Sequence, residues 1–204
     1  MADIPFLNPS VLTQLDLPIP NRIETPLTLE PLNLNRPYEP SKEIQAYRRL
    51  YGLDQLEGQF WQGYVKMPLF KLHVQVYQPV IDQIKGTVFL LHGYLEHSGI
   101  YQPIIRELLD QGFSVITYDL PGHGLSDGNA ASIQNFDHYQ QVLHAVHQYL
   151  RNADQLPKPW LGIGQSTGAA IWMHHLLEYA EQRKNPIVER VLLLSPLVRP
   201  AKSA

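Results

Sequence analysis

The pattern of apolar positions changes near residue 85. Before it, Leu72, Val74 and Val76 alternate with polar neighbours, which is typical of a strand with one buried face, and residues 60–67 supply its antiparallel partner. After it come continuous apolar runs that suit strands covered on both faces, at 87–91, 113–118, 160–163 and 191–194. We therefore expect six strands, of which the first two form an antiparallel start.

Helical spacing separates the later runs, at 98–111, 131–152 and 167–183. The second of these segments places Tyr139, Val142, Val146 and Leu150 on one helical face. Strands that alternate with helices indicate right-handed parallel crossovers. The fold class predicted is α/β, with a mostly parallel, doubly wound sheet of about six strands.

The first 40 residues follow neither period and contain eight of the 17 prolines. They predict an extended, loosely packed arm on the surface. Ser41 is a good N-cap for a short helix over 42–53. We expect a proline-rich arm and short helix over 1–57, followed by a core domain over 58–204.

Composition narrows the classes of function. With 44% hydrophobic and 17% charged residues the chain is of globular type, and a net charge of −3 gives no electrostatic basis for binding nucleic acid. We find no signal peptide and no apolar run long enough to cross a bilayer, so a cytoplasmic protein is expected. The absence of cysteine excludes thiolate chemistry. A small-molecule substrate fits best.

The pentapeptide Gly164-Gln165-Ser166-Thr167-Gly168 lies between an apolar run and a helical segment. This context predicts a nucleophile elbow, in which a sharp strand-to-helix turn exposes the serine hydroxyl. Gly164 and Gly168 are expected because side chains there would collide with the turn. Ser166 is the predicted nucleophile.

A second loop, His92 to His97, follows the run at 87–91. Gly93 lets backbone N–H groups turn toward a common point, and we predict an oxyanion hole formed by the backbone N–H groups of Tyr94 and Thr167. His92 is expected to pack under this loop. A third loop, 119–126, bends through one proline and two glycines, and its His123 is expected to shape the site rather than react.

Two further histidines, His144 and His147, share a helical face. Such a pair suits a metal, but no third ligand is apparent, so we favour a solvated face and predict neither a metal nor a cofactor.

Together, the three loops resemble the α/β-hydrolase superfamily, in particular the branch of monoacylglycerol lipases, lysophospholipases and serine aminopeptidase-like hydrolases. The resemblance rests on 91–93, 96–101, 119–126 and 164–168, with Phe136 and Tyr139. It implies attack of Ser166 on an ester carbonyl, with a histidine as base and an acid that orients it. Monoacylglycerol-like or lysophospholipid-like esters are the implied substrates.

The same family places the acid and histidine on loops after two further strands. Here 38 residues follow Ser166, without an aspartate. His174, eight residues along the same helix, lies roughly 12 Å from Ser166 along the axis, and His175 is no closer to bonding distance. We expect a chain truncated before the cap and last two strands, active as an esterase only at full length. The alternatives are an inactive binding module, or half of an enzyme completed by a separate polypeptide. The bare edge strand could also lead to self-association.

Overall fold

The structure, a computed structural model, describes residues 29–197 and is organised around one six-stranded sheet. Its strands are β1 (Gln59–Lys66), β2 (Lys71–Gln78), β3 (Thr87–Leu91), β4 (Ser114–Tyr118), β5 (Trp160–Gln165) and β6 (Arg190–Leu194). The helices are α1 (Lys42–Leu50), α2 (Gln102–Asp110), α3 (Asp137–Leu150) and α4 (Thr167–Glu181), with 3₁₀ turns at Leu53–Gln55 and Ser98–Tyr101.

The strand order is β1-β2-β4-β3-β5-β6. β2 pairs antiparallel with β1 and β4, and the remaining neighbours are parallel. This confirms the predicted mostly parallel α/β sheet with an antiparallel start. Because β3, β4 and β5 are parallel, their carboxyl ends meet at one edge of the sheet, and the three loops singled out in the sequence start there.

Two apolar clusters cover the faces of the sheet. One contains buried residues of α3 and α4, including Val146 and Trp172, and the other contains Tyr47 of α1 and Ile104 of α2. The apolar stripe of each helix therefore faces the strands, which accounts for helices on both sides of the sheet. Trp160 and Trp172 pack in the first cluster.

The prediction that β2 has one exposed face is wrong. Its six central residues are all buried, including the polar His73 and Gln75. Tyr47 of α1 packs edge-on against His73, and Gln75 Nε2 donates a hydrogen bond to Ser98 Oγ at 3.0 Å. The second face of β2 is thus covered by α1 and the turn after β3, and its polar side chains pair with one another rather than with water.

The described part of the N-terminal arm packs more tightly than the proline pattern predicts. Leu32 and Leu34 are buried in the core, and Leu32 N–H donates to Tyr64 O of β1 at 3.0 Å. A β-carbon on Gly63 would lie 2.7 Å from Leu32 backbone atoms, so a glycine is required at this crossing. Residues 1–28 lie outside the described residues, and the division of the chain at residue 57 stays a prediction.

At the opposite edge, β6 pairs with β5, and all five of its residues are half-buried. Within residues 29–197 no other strand pairs with β6. None of the helices in this range is long and apolar enough to span a bilayer.

Candidate active site

Ser166 occupies a strained backbone position between the last residue of β5 and the first of α4. Its φ of 48° and ψ of −105° are unusual for a residue with a side chain. The strain is held by flanking structure, because Ser166 N–H donates to Leu194 O of β6 at 2.9 Å and Ser166 O accepts from Ala170 N–H at 3.0 Å. The main chain therefore presents this side chain in one fixed direction, as the predicted elbow requires.

Gly164 and Gly168 make this turn sterically feasible. A β-carbon on Gly164 would lie 2.4 Å from the carbonyl carbon of Gly168, and one on Gly168 would lie 2.4 Å from Leu91 O. Both neighbours are backbone atoms and cannot rotate aside. The two glycines thus allow α4 to start directly against β5 and the end of β3.

The loop after β3 lies against the elbow. A β-carbon on Gly93 would come within 3.3 Å of Ser166 Cβ. Gly93 N–H donates to Glu96 Oε2 at 2.7 Å and to Tyr101 OH at 3.1 Å, and Tyr101 OH itself donates to the Glu96 carboxylate. The sequence reasoning gave Glu96 and Tyr101 no role of their own, although both lie in the motif that carries the family resemblance.

Two backbone N–H groups beside Ser166 are unused by the described part of the chain. Across residues 29–197, no acceptor takes the N–H of Tyr94 or of Thr167. Thr167 is the first residue of α4, where N–H groups lack intrahelical partners and the helix dipole favours negative charge. The Tyr94 side chain reaches away to Ala131 O, at 3.1 Å. These two N–H groups are available to a negatively charged oxygen.

His92 is fully buried beneath this loop. Its Nδ1 lies 2.8 Å from Gly93 O, and its Nε2 accepts Leu120 N–H at 2.8 Å. Burial lowers the pKa of His92 to about 4, so the ring is neutral at physiological pH. With both nitrogens engaged, His92 cannot act as a base for Ser166.

The loop after β4 contacts the site through His123. The His123 ring lies 5.7 Å from the Tyr94 ring and 5.5 Å from the His92 ring, and its Nδ1 lies 3.0 Å from Pro121 O. Asp119, by contrast, is fully buried and contacts His73 Nδ1 at 2.9 Å. The loop after β4 therefore packs against the loop after β3, which carries His92 and Tyr94.

A base for Ser166 is missing from the part of the chain that the structure describes. No side chain between residues 29 and 197 hydrogen-bonds to Ser166 Oγ. His174 Nε2 lies 3.8 Å from Asp137 Oδ1, and His175 Nε2 accepts Ile187 N–H at 3.2 Å. Among residues 29–197, the geometry therefore supplies a positioned serine and two free N–H donors, without a proton acceptor for the serine.

Comparison with known proteins places this site in a family. The family model described as serine aminopeptidase, S33, matches residues 82–204, which is more than half of the chain. The chain belongs to this family. The predicted resemblance to the monoacylglycerol lipase, lysophospholipase and serine aminopeptidase-like branch of the α/β hydrolases is confirmed.

Several relatives of this S33-family chain are named as esterases or lipases. It is 31% identical over 119 residues to human monoglyceride lipase, covering 56% of this chain and 36% of that protein. It is 30% identical over 112 residues to caffeoylshikimate esterase of Arabidopsis thaliana, covering 54% and 34%. The chain thus spans about a third of the length of these relatives.

Among solved structures, the S33-family chain is similar to Est1E from Butyrivibrio proteoclasticus, a structure with ferulic acid bound. The TM-score is 0.53 at 26% identity, over 65% of this chain and 52% of that one. The match confirms the α/β-hydrolase fold.

Away from the elbow, this S33-family chain gathers histidines between α3 and α4. The His144 ring lies 5.1 Å from the His175 ring, and the His147 ring packs edge-on against Trp160 at 5.0 Å. The expectation of a solvated face for His144 and His147 is therefore wrong, because α4 and β5 partly cover it. Within the described range, no group of three or more His, Cys, Asp or Glu side chains is placed to hold a metal ion.

These buried histidines predict a loss of stability in mild acid. Burial lowers the pKa of both His175 and His147 to about 4, as it does for His92. Between pH 6.5 and about 4 the unfolded chain binds protons that the folded chain does not, so the free energy of unfolding falls as the pH drops through this window. A fully buried ring such as His175 contributes up to about 3 kcal/mol.

Urea denaturation at pH 7.5, 5.5 and 4.5 measures this effect. The free energy of unfolding of a His175→Phe variant should fall less steeply with decreasing pH than that of a matched His138→Phe variant, since His138 is only half-buried. A free energy of unfolding that is the same at pH 7.5 and 4.5 would contradict the prediction.

Proposed function

We propose that this chain carries the nucleophile and the oxyanion hole of a serine hydrolase that cleaves carboxylic esters of the monoacylglycerol or lysophospholipid type. The observation that carries the proposal is the strained Ser166, set beside the N–H groups of Tyr94 and Thr167, which have no partner in the part of the chain that the structure describes. Human monoglyceride lipase, among the relatives, supports this ester class by its name.

In the proposed reaction, Ser166 Oγ attacks the ester carbonyl carbon and the carbonyl oxygen becomes negatively charged. Tyr94 N–H and Thr167 N–H donate to that oxygen, and one such donor can be worth about 3 kcal/mol of transition-state stabilisation. A histidine accepts the serine proton and returns it to the leaving alcohol, and an acid orients this histidine. All nine histidines of the sequence lie within residues 29–197, where none contacts Ser166 Oγ, so we assign these last two groups to polypeptide other than these 204 residues.

The surface around Ser166 favours an apolar acyl group. Tyr94, Leu95 and Leu197 are large apolar residues that are 52%, 57% and 37% exposed. Tyr94 and Leu95 belong to the proposed oxyanion loop, and Leu197 N–H donates to Ser166 O at 3.1 Å. Burial of an acyl chain against them would release water from this rim. We propose no cofactor for this reaction, and a cytoplasmic location.

A second reading is a chain that binds without turnover, or that is completed by another polypeptide. The half-buried β6 favours it, because the backbone groups of a free strand edge can pair with a further strand. In either case the 204-residue chain on its own turns over esters slowly, since removal of the triad partners costs several orders of magnitude.

Labelling with a fluorophosphonate probe tests the nucleophile directly. We expect slow but selective phosphonylation of Ser166, identified by peptide mass mapping, and none in the Ser166→Ala variant. Ser195→Ala is the matched control, because Ser195 likewise has a positive φ, of 44°, and is more exposed than Ser166. Labelling that survives Ser166→Ala, or the absence of any adduct on Ser166 after prolonged exposure, would refute the proposal.

A further inference from the structure

The peptide between Gly93 and Tyr94 needs an external restraint. Glycine lacks a β-carbon, so the peptide that follows it rotates more freely than after any other residue. This same peptide carries the N–H of Tyr94, and an oxyanion donor must point in one direction before substrate binds. Another group in the structure must therefore fix the direction of the Tyr94 N–H.

The His92 ring contacts the carbonyl of this peptide. Leu120 N–H can only donate, so the nitrogen that it meets, Nε2 of His92, carries no proton. In a neutral imidazole the other nitrogen then carries it, and Nδ1–H donates to Gly93 O at 2.8 Å. Leu120, in the loop after β4, thereby selects the tautomer that holds Gly93 O.

The consequence follows from peptide geometry. A trans peptide has its C=O and N–H on opposite sides, so fixing Gly93 O toward His92 turns the N–H of Tyr94 away from His92. The preceding peptide is fixed as well, because Gly93 N–H donates to Glu96 Oε2 and Tyr101 OH. Both peptides that flank Gly93 are therefore restrained where this residue lies against Ser166.

We infer that His92 is a positioning residue, whose Nδ1–H sets the direction of the Tyr94 N–H and so assembles one half of the oxyanion hole. This inference rests on the proposed function. It goes beyond packing under the loop, because one nitrogen of the ring serves the site and the other serves the loop after β4.

Two amide substitutions of His92 test the roles of its two ring nitrogens separately. In His92→Asn, an amide N–H₂ takes the place of Nδ1 and can still donate to Gly93 O. In His92→Gln, an amide oxygen takes the place of Nε2 and can still accept Leu120 N–H, but the close ring donor to Gly93 O is lost. The longer contact from Glu96 N–H, at 3.4 Å, then remains on this carbonyl. Each variant gives up one buried hydrogen bond, so we expect similar decreases in the urea midpoint.

The rate of Ser166 phosphonylation should differ between them. We expect His92→Gln to react about 100-fold more slowly than the unmodified chain, the effect of losing one oxyanion donor. His92→Asn should keep most of the phosphonylation rate of the unmodified chain. Equal losses in the two variants, in proportion to their stability, would overturn the inference and leave His92 a packing residue.

Nitrogen-15 NMR of the His92 imidazole supplies a readout that does not depend on Ser166. We expect a protonated Nδ1 and a bare Nε2, with the Gly93 carbonyl carbon shifted in His92→Gln but not in His92→Asn. The opposite tautomer would overturn the inference. An unmodified chain that never labels at Ser166 would instead refute the proposed function, and the imidazole spectrum would still decide the role of His92.

Discussion

Replacing Asp119 by alanine is expected to lower the free energy of unfolding by about 3 kcal/mol or more, because each buried donor that loses its acceptor costs about 1 to 3 kcal/mol. Asp119 Oδ2 contacts His73 Nδ1 at 2.9 Å and accepts Leu125 N–H at 2.8 Å. Its other oxygen, Oδ1, accepts both the N–H and the hydroxyl of Ser98, at 2.7 and 2.6 Å. Without the carboxylate, these buried donors lose their acceptor.

The charge of Asp119 is maintained despite complete burial. Burial alone would raise the pKa of this carboxyl, but the His73 ring with its hydrogen bond and the nearby His97 and His92 rings together outweigh burial and hold the pKa well below its usual range. Asp119 therefore stays ionised and joins β2, the turn after β3 and the loop after β4. Asp119 thus joins two of the loops of the proposed site, those after β3 and β4.

Urea denaturation of Asp119→Ala against Asp127→Ala measures the effect. Asp127 lies in the same loop but is exposed, so its substitution should change the free energy of unfolding by no more than about 0.5 kcal/mol. Equal stability of the two variants would show that the Asp119 network does not hold the loops together.

Replacing Gly168 by valine should disrupt the elbow itself. The new β-carbon would lie 2.4 Å from Leu91 O and 2.8 Å from His92 O, so the start of α4 must move away from β3. Overpacking of this kind costs up to about 3 kcal/mol. A shift of 1 Å in a reacting group can lower a rate about 100-fold, and we expect that loss in Ser166 phosphonylation.

The matched control is Gly52→Ala, which has open space around its new β-carbon, with no neighbour nearer than 3.9 Å. Its φ of 67° introduces backbone strain of about 1 kcal/mol, but Gly52 lies before the sheet, so labelling of Ser166 should continue at its original rate. Normal labelling of Gly168→Val would mean that the close approach of α4 to β3 is not needed for a reactive serine.

The sequence predicted the parts of the fold that depend on local pattern. Continuous apolar runs indicate strands buried on both faces, and their alternation with helices leads to a parallel sheet. The three loops then had to meet at the carboxyl edge. The positive φ of Ser166 is also local, since a serine between glycines at a strand-to-helix junction has few alternatives.

What the sequence did not reveal depends on contacts between distant residues. The alternation in β2 gave a solvent-exposed face to His73 and Gln75, because nothing local shows that α1 and the turn after β3 cover them. In the same way the proline pattern predicts a surface arm that includes Leu32, although Leu32 packs against β1. A polar residue on a strand indicates water only when no partner elsewhere in the chain satisfies it.

In the candidate site, too, the sequence predicted the local features but not the contacts between separate residues. Ser166 and the glycines around it follow from one motif, whereas the restraints on Gly93 come from three separate residues, His92, Glu96 and Tyr101. The motif shows that a loop turns there, and the structure shows which hydrogen bonds fix its peptides.

A crystal structure of the phosphonylated chain tests most directly whether Ser166 is a nucleophile set beside an oxyanion hole. We predict phosphorus bonded to Ser166 Oγ, with the phosphoryl oxygen within about 3 Å of the backbone nitrogens of both Tyr94 and Thr167, the geometry of an oxyanion hole. An adduct on another residue, or a phosphoryl oxygen that points to solvent while both N–H groups stay unpaired, would contradict this prediction.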